Sequence, residues 1–164
     1  MSTPVRIMQP ARTPGGTVPP VGWYRYTDGQ TFIRGEVLVF DGSGSVEVDS
    51  TDPTPIVGVA LQGADTAPGY QAANSPTTFT YRQQKVSVAL ARPGEVFRSQ
   101  LTNGSSTPVT PTIADVGVSY GITPYSGVWT VDKNKTSTDK RVTVVGFDDM
   151  TNDVFFTFLS DQVV

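Results

Sequence analysis

The chain contains no cysteine and no histidine. Without cysteine there is no disulfide, no thiolate nucleophile and no Cys-ligated zinc or iron–sulfur cluster. Without histidine the usual general base near neutral pH is gone, and with it the usual partner of a Ser or Cys nucleophile and the commonest transition-metal ligand. An enzyme built on this sequence would have to work with carboxylates, Lys or Tyr. The expectation is therefore a non-enzyme, with no catalytic residue, no cofactor and no bound metal. Lysine and leucine are also scarce, with 4 and 5 copies against 23 Val and 22 Thr in 164 residues. No apolar run approaches the roughly 18 residues of a membrane span. The longest, VSVALA (86–91), is strand-sized. A net charge of −3, from 15 acidic and 12 basic residues, gives no electrostatic footing for nucleic acid. Neither nucleic acid nor a membrane is an expected partner.

What is present points to sheet. β-Branched residues lose rotamer freedom on a helix but fit a pleated surface. The 16 Gly and 13 Pro supply the turns that short strands need. The fold class expected is all-β, a β-barrel or β-sandwich of short antiparallel strands, with an extended N-terminal arm. Residues 1–20 (MSTPVRIMQPARTPGGTVPP) form that Pro-rich arm, and 21–164 a single β domain. Pro4, Arg6, Pro10 and Arg12 interrupt the apolar core of roughly 7–15 residues that a signal peptide needs. A protein made in the cytoplasm, and used there or carried out within an assembly, is expected. Pulled straight, such an arm would reach on the order of 60 Å. Val5, Ile7, Met8 and Val18 make it more apolar than a solvated tail, which argues for ordering on a partner.

Ordered structure is expected from Val21. GWYRYT alternates Trp23, Arg25 and Thr27 against Tyr24 and Tyr26. GEVLVFDGSGSVEV (35–48) reads as a hairpin, with Val37 and Val39 on one face and Leu38 and Phe40 on the other. Further strands are expected at 56–61, 81–91, 95–101, on either side of a GITPYSG turn within 113–132, at 141–149 and at 153–164. The closing strand carries apolar residues on both faces, which suits an inner or interfacial position. There is also an echo. GEVLVFD…PIVGVAL (35–61) and SGVWTVD…VTVVGFD (126–148) share a pattern that fits two similar hairpins forming halves of one barrel, and equally fits chance.

Candidate sites are few. Asp41, Ser43, Ser45 and Asp52 fall at positions 1, 3, 5 and 12 of a calcium-loop pattern, but Val46 replaces its glycine and Asp52 its bidentate Glu. A plain hairpin loop is the better reading. Asp148, Asp149 and Asp153 form an acidic cluster after a strand. A metal or glycosidase site there would need a converging partner, and Glu36, Glu47 and Glu95 are the only glutamates. Asn103 and Asn134 open glycosylation-type triplets that read here as polar turns. Trp129 reads as core. Trp23, Tyr24 and Tyr26 are candidate interface aromatics, readable as a sugar-stacking platform, a protein-interface patch or alternate core packing.

The segments G-x-V-L-V-F-D…I-V-G-V-A, KVSVALARPGEVFR and GVSYGI…SGVWTVD…VTVVGFD, spanning roughly residues 35–150, resemble capsid decoration (cement, or auxiliary head) proteins of tailed bacteriophages. The resemblance implies a virion protein without chemistry. It would bind the phage major capsid protein on the outer surface of the mature head, commonly as a trimer, and brace the shell against packaged DNA. It also implies a use for the arm, whose Val5, Arg6, Ile7, Met8 and Arg12 would make the capsid contact. The alternative is a carbohydrate-binding or adhesin-like module of a head or tail fibre, stacking sugars on Trp23, Tyr24 and Tyr26. A metal-dependent hydrolase on Asp148, Asp149 and Asp153 is a third, weaker alternative.

Overall fold

The computed structural model describes residues 6–13, 15–27, 29–49, 51–64 and 85–164. After a two-residue strand β1 (Gln9–Pro10) come β2 (Val21–Arg25), β3 (Val37–Phe40), β4 (Val46–Val48), β5 (Ile56–Ala60) and β6 (Lys85–Leu90). Strands β2 to β6 form one sheet in the order β2-β6-β5-β3-β4, every ladder antiparallel. The sheet curls until its ends meet. Tyr26, just beyond β2, bridges Val46 in parallel, and the Thr27 N–H donates to the Val46 carbonyl at 3.0 Å.

The second half repeats the plan. Strands β7 (Phe97–Thr102), β8 (Ser119–Tyr125), β9 (Val128–Asp132), β10 (Val142–Asp148) and β11 (Asp153–Phe158) lie in the order β7-β11-β10-β8-β9. Strand β9 then runs parallel to β7 through Leu101–Val131 and Thr102–Asp132, which closes the ring. Counted within each half, both sheets have the order first, fifth, fourth, second, third, and in both the third strand meets the first in parallel. The all-β expectation thus takes the form of two small curled sheets with one wiring diagram.

The sequence echo caught half of this repeat. Strands β5 and β10 are equivalent in the wiring, and each carries a glycine (Gly58, Gly146) beside a register shift. The VLVFD–VWTVD half of the echo, however, matches β3 to β9, whereas the wiring equates β3 with β8. At Gly58 the reason for glycine is contact, since a Cβ there would lie 2.8 Å from Val88 Cγ1 and closer still to the Ala89 carbonyl. The irregularity also re-aims β5, so that Ile56 and Val59 face one core and Val57 and Ala60 the other.

One core fills the first sheet, from Tyr26, Phe32, Leu38, Val46, Val86 and Val88. The larger core fills the second around Trp129, Phe97, Phe156 and Phe158, and it continues into Val37, Val59 and Ala89 on the outer face of the first sheet. That shared cluster joins the halves. The C-terminus adds a second tie, because Gln162 and Val164 exchange backbone bonds with Ile56 at 2.7 and 3.1 Å. Strand β11 sits between β7 and β10, an inner strand as its two apolar faces suggested.

The arm departs from expectation. Ordered structure begins well before Val21, because Gln9 and Pro10 pair with Arg98 and Phe97 of β7, and the Ala11 N–H donates to the Val96 carbonyl at 2.8 Å. Met8 is 1 % exposed and belongs to the shared core. Ile7 packs on Gly35, where a Cβ would sit 2.6 Å from its own Cβ. Of the apolar residues read as bait for a partner, Met8 and Ile7 are covered within the chain, Val18 stays exposed, and Val5 lies outside the described residues. A proline is tolerable in β1 because so short an edge strand has little ladder to lose.

Candidate binding surface

Strand β2 presents one open surface of the fold. On its β6 side it has a full antiparallel ladder from Val21–Ala89 to Arg25–Lys85. On its other side, the partner β4 is three residues long and reaches only Tyr26. Among the described residues, no strand pairs with the outer edge of Val21–Arg25. The period-2 alternation read from the sequence holds. Tyr24 and Tyr26 turn into the first core, while Val21 and Trp23 turn outward, each 53 % exposed.

That alternation breaks up the expected aromatic platform. Tyr26 is buried, donates its hydroxyl to the Ala64 carbonyl at 3.0 Å and meets Phe32 edge to face. Tyr24 packs edge to face on Phe40 at 5.7 Å. Gly22 makes this possible, because a Cβ there would lie 2.7 Å from the Tyr24 ring and 3.1 Å from Leu90. Only Trp23 presents an open indole. Val18, also 53 % exposed, lies on the segment leading into β2. That segment is stiffened by a Thr13–Thr17 hydroxyl contact of 2.6 Å and by Arg12, whose Nη1 donates to the Gly16 carbonyl at 2.9 Å.

The other expected contact residues are spread out. Val5 lies outside the described residues. The Arg6 N–H donates to Gln100 Oε1 at 3.3 Å, and its guanidinium reaches Asp153 Oδ2 at 3.4 Å. Asp153 is buried, so this ion pair pins the start of the arm to the second sheet. Met8 is inaccessible in the core, and Ile7 is part-covered against Gly35. Arg12 remains exposed.

The acidic motifs resolve into local structure. Asp41 Oδ1 accepts from the Ser43 N–H and hydroxyl, both at 2.7 Å, and from the Ser45 N–H at 3.1 Å, while Oδ2 accepts from the Thr27 hydroxyl. These bonds, the Thr27 hydroxyl foremost, hold its carboxyl down at about 2. Asp52 is drawn away to Lys135 Nζ at 2.7 Å. Asp148 and Asp153 stand opposite each other on β10 and β11, but Asp148 caps its own turn through the Met150 N–H and Asp153 faces Arg6. Among the described residues, no group of three His, Cys, Asp or Glu is placed to hold a metal ion.

Sequence reasoning missed the buried charges. Asp115 is buried with Lys133 Nζ at 2.7 Å, the Thr112 N–H at 2.8 Å and the Tyr120 hydroxyl at 2.8 Å. Burial pushes the Asp115 carboxyl up, but these partners outweigh it and leave it below the usual range. Burial and the same carboxylate push Tyr120 up to about 12. Asp132 accepts from the Gly104 and Asn134 N–H groups and the Thr123 hydroxyl, and so fastens two loops to β9. Asp132 ends β9 and Asp115 closes a short 3-10 turn ahead of β8, and nothing in the local sequence says that either carboxylate is buried. Compared with known proteins, the chain matches no family model and no curated sequence.

Proposed function

We propose that the chain is a non-enzymatic capsid decoration protein of a tailed bacteriophage. It binds the major capsid protein on the outside of the mature head as a homo-oligomer, a trimer in the favoured form, and stabilises the shell against internal DNA pressure. The observation that carries this reading is the edge of β2, unpaired among the described residues, with Val21 and Trp23 exposed on the strand and Val18 and Arg12 exposed on the segment that leads into it. Large exposed apolar side chains with an adjacent cation are the usual anchors of protein interfaces. An unpaired strand edge also offers main-chain hydrogen bonds to an added strand. The sequence resemblance supplies the partner. The physics of bracing is linkage, because a ligand of the assembled shell that ignores separated subunits stabilises the shell by mass action.

The anchor assigned here is the 12–23 stretch, in place of Ile7 and Met8. Deleting residues 1–20 would remove β1 and a core methionine, and would therefore test folding before binding. The decisive experiment is co-sedimentation with undecorated, expanded heads, comparing the native chain with Trp23→Ala. The native chain should saturate the heads, and the variant, equally stable, should bind about tenfold more weakly. Absence of binding by the native chain overturns the reading. The open Trp23 indole favours one second reading, a carbohydrate-binding module of a head or tail fibre. Glycan binding abolished by Trp23→Ala, with no head binding, would establish it.

A further inference from the structure

A second feature lies away from β2, at the junction of the two halves. The loop before β3 and the tight turn between β8 and β9 border an open cleft of about 310 Å³. Its walls include Phe32, Ile33 and Val48, and its polar groups include Thr31 and the Glu36 carboxylate. Across from them, Ser126 and Gly127 have φ of 52° and 81° and make the turn so tight that it adds little bulk to the cleft. A Cβ at Gly127 would lie 3.3 Å from Ile33 Cδ1 and 3.6 Å from Glu36 Oε1, so glycine keeps this wall open beside the carboxylate.

Glu36 is half-buried. Oε2 accepts from the Ile33 N–H at 2.8 Å. Among the described residues, no cation pairs with Glu36, its neighbour Arg34 included. Burial raises its carboxyl above the ordinary range, and the Ile33 N–H offsets this only in part. A guanidinium binds best with both oxygens of a carboxylate free, but here only Oε1 is uncommitted. An ammonium needs one oxygen and can spend its other donors on water.

We propose that this cleft receives a lysine side chain from a partner protein, its ammonium on Glu36 Oε1 and its four-carbon stem against Ile33 and Val48. Long cationic side chains bury an apolar stem while the head keeps polar company, and a cleft of this volume admits one such chain. The proposal goes beyond the decoration reading and does not depend on whether the partner is a capsid.

The test is a ¹H–¹⁵N titration of the full chain with Nα-acetyl-lysine methylamide. The Nε-acetylated compound and Nα-acetyl-arginine methylamide serve as comparators. Saturable shifts are expected at the Ile33 and Gly127 amides, with a dissociation constant on the order of 10 mM. They should vanish when the ammonium is acetylated, and the arginine compound should bind more weakly. Glu36→Gln keeps an acceptor for the Ile33 N–H and should weaken binding about fivefold. Ile33→Ser, at an exposed position, should weaken it about twofold through the stem. Absence of saturable shifts in the native chain, equal response to the acetylated compound, tighter binding of arginine, or full binding by Glu36→Gln would each overturn the proposal. A failure of head binding would leave these outcomes unaffected.

Discussion

The two sheets share a strand order but not a seam. In the second, β9 lies against β7 over two paired positions, a Thr102–Thr130 hydroxyl contact of 2.9 Å backs the seam, and Trp129, Phe97, Phe156 and Phe158 fill the interior. In the first, β4 touches the β2 segment at one bridge, Tyr26–Val46, and the rest of that edge is bare among the described residues. Among the described residues, the same wiring thus yields one well-closed ring and one left partly open. The difference traces to length, because the third strand has three residues in the first sheet and five in the second. An open edge is normally a liability that chains blunt or cover. Keeping Val21 and Trp23 exposed on it makes the first half the place where association is to be sought.

The comparison can be strained by substitution. The largest effect should come from Phe156→Ala, whose ring is fully buried between Phe97 and Phe158, at a cost of about 3–5 kcal/mol in denaturant unfolding. Phe32→Ala should fall at the low end of that range or below it, because Phe32 borders an open cleft that water can enter. Equal losses would mean that the first sheet is as tightly filled as the second.

Met8→Ala should follow, at about 2–3 kcal/mol, because Met8 is a core residue supplied by the arm. A loss below about 0.5 kcal/mol would mean that the arm is not held on β7 in solution. Tyr26→Phe probes the first core beside the weak seam. It removes the hydroxyl from the buried Ala64 carbonyl and should cost about 1–2 kcal/mol, with faster amide exchange at Thr27.

The smallest effect concerns acid. The folded Asp41 carboxyl sits at about 2, below its ordinary 3.8. Its stabilising bonds are therefore fully present above pH 3.8 and are lost as pH falls through about 2. Asp41→Asn should flatten that part of the acid-unfolding curve, and thermal midpoints measured across the window check it. An unchanged acid limb would show that the hairpin loop contributes nothing to it.

Much of this fold was legible in local pattern. The alternation in 35–48 placed Val37 and Val39 opposite Leu38 and Phe40, and only Val37 joins the shared core while Leu38 and Phe40 join the other. Trp129 is core as read. The GITPYSG turn was misplaced, since Gly121 to Tyr125 continue β8 and the turn is confined to Ser126-Gly127. Two successive positive φ values make that tight hairpin turn, and a Ser-Gly pair is a weaker signal for it than Pro124 was for a wider one. The arm was misread for a different reason. A short apolar segment fits a partner or its own chain equally well, and only the three-dimensional position of β7 decides between them. The Glu36 cleft was invisible because its walls come from loops some ninety residues apart, brought together by the packing of the halves.

The most direct measurement of the central claim is hydrogen exchange of the native chain, free and bound to undecorated heads. The account predicts that binding slows exchange across Val21–Arg25 and leaves β8, β9 and β10 unchanged. Protection confined to the second half, with β2 exchanging as in the free protein, would contradict it.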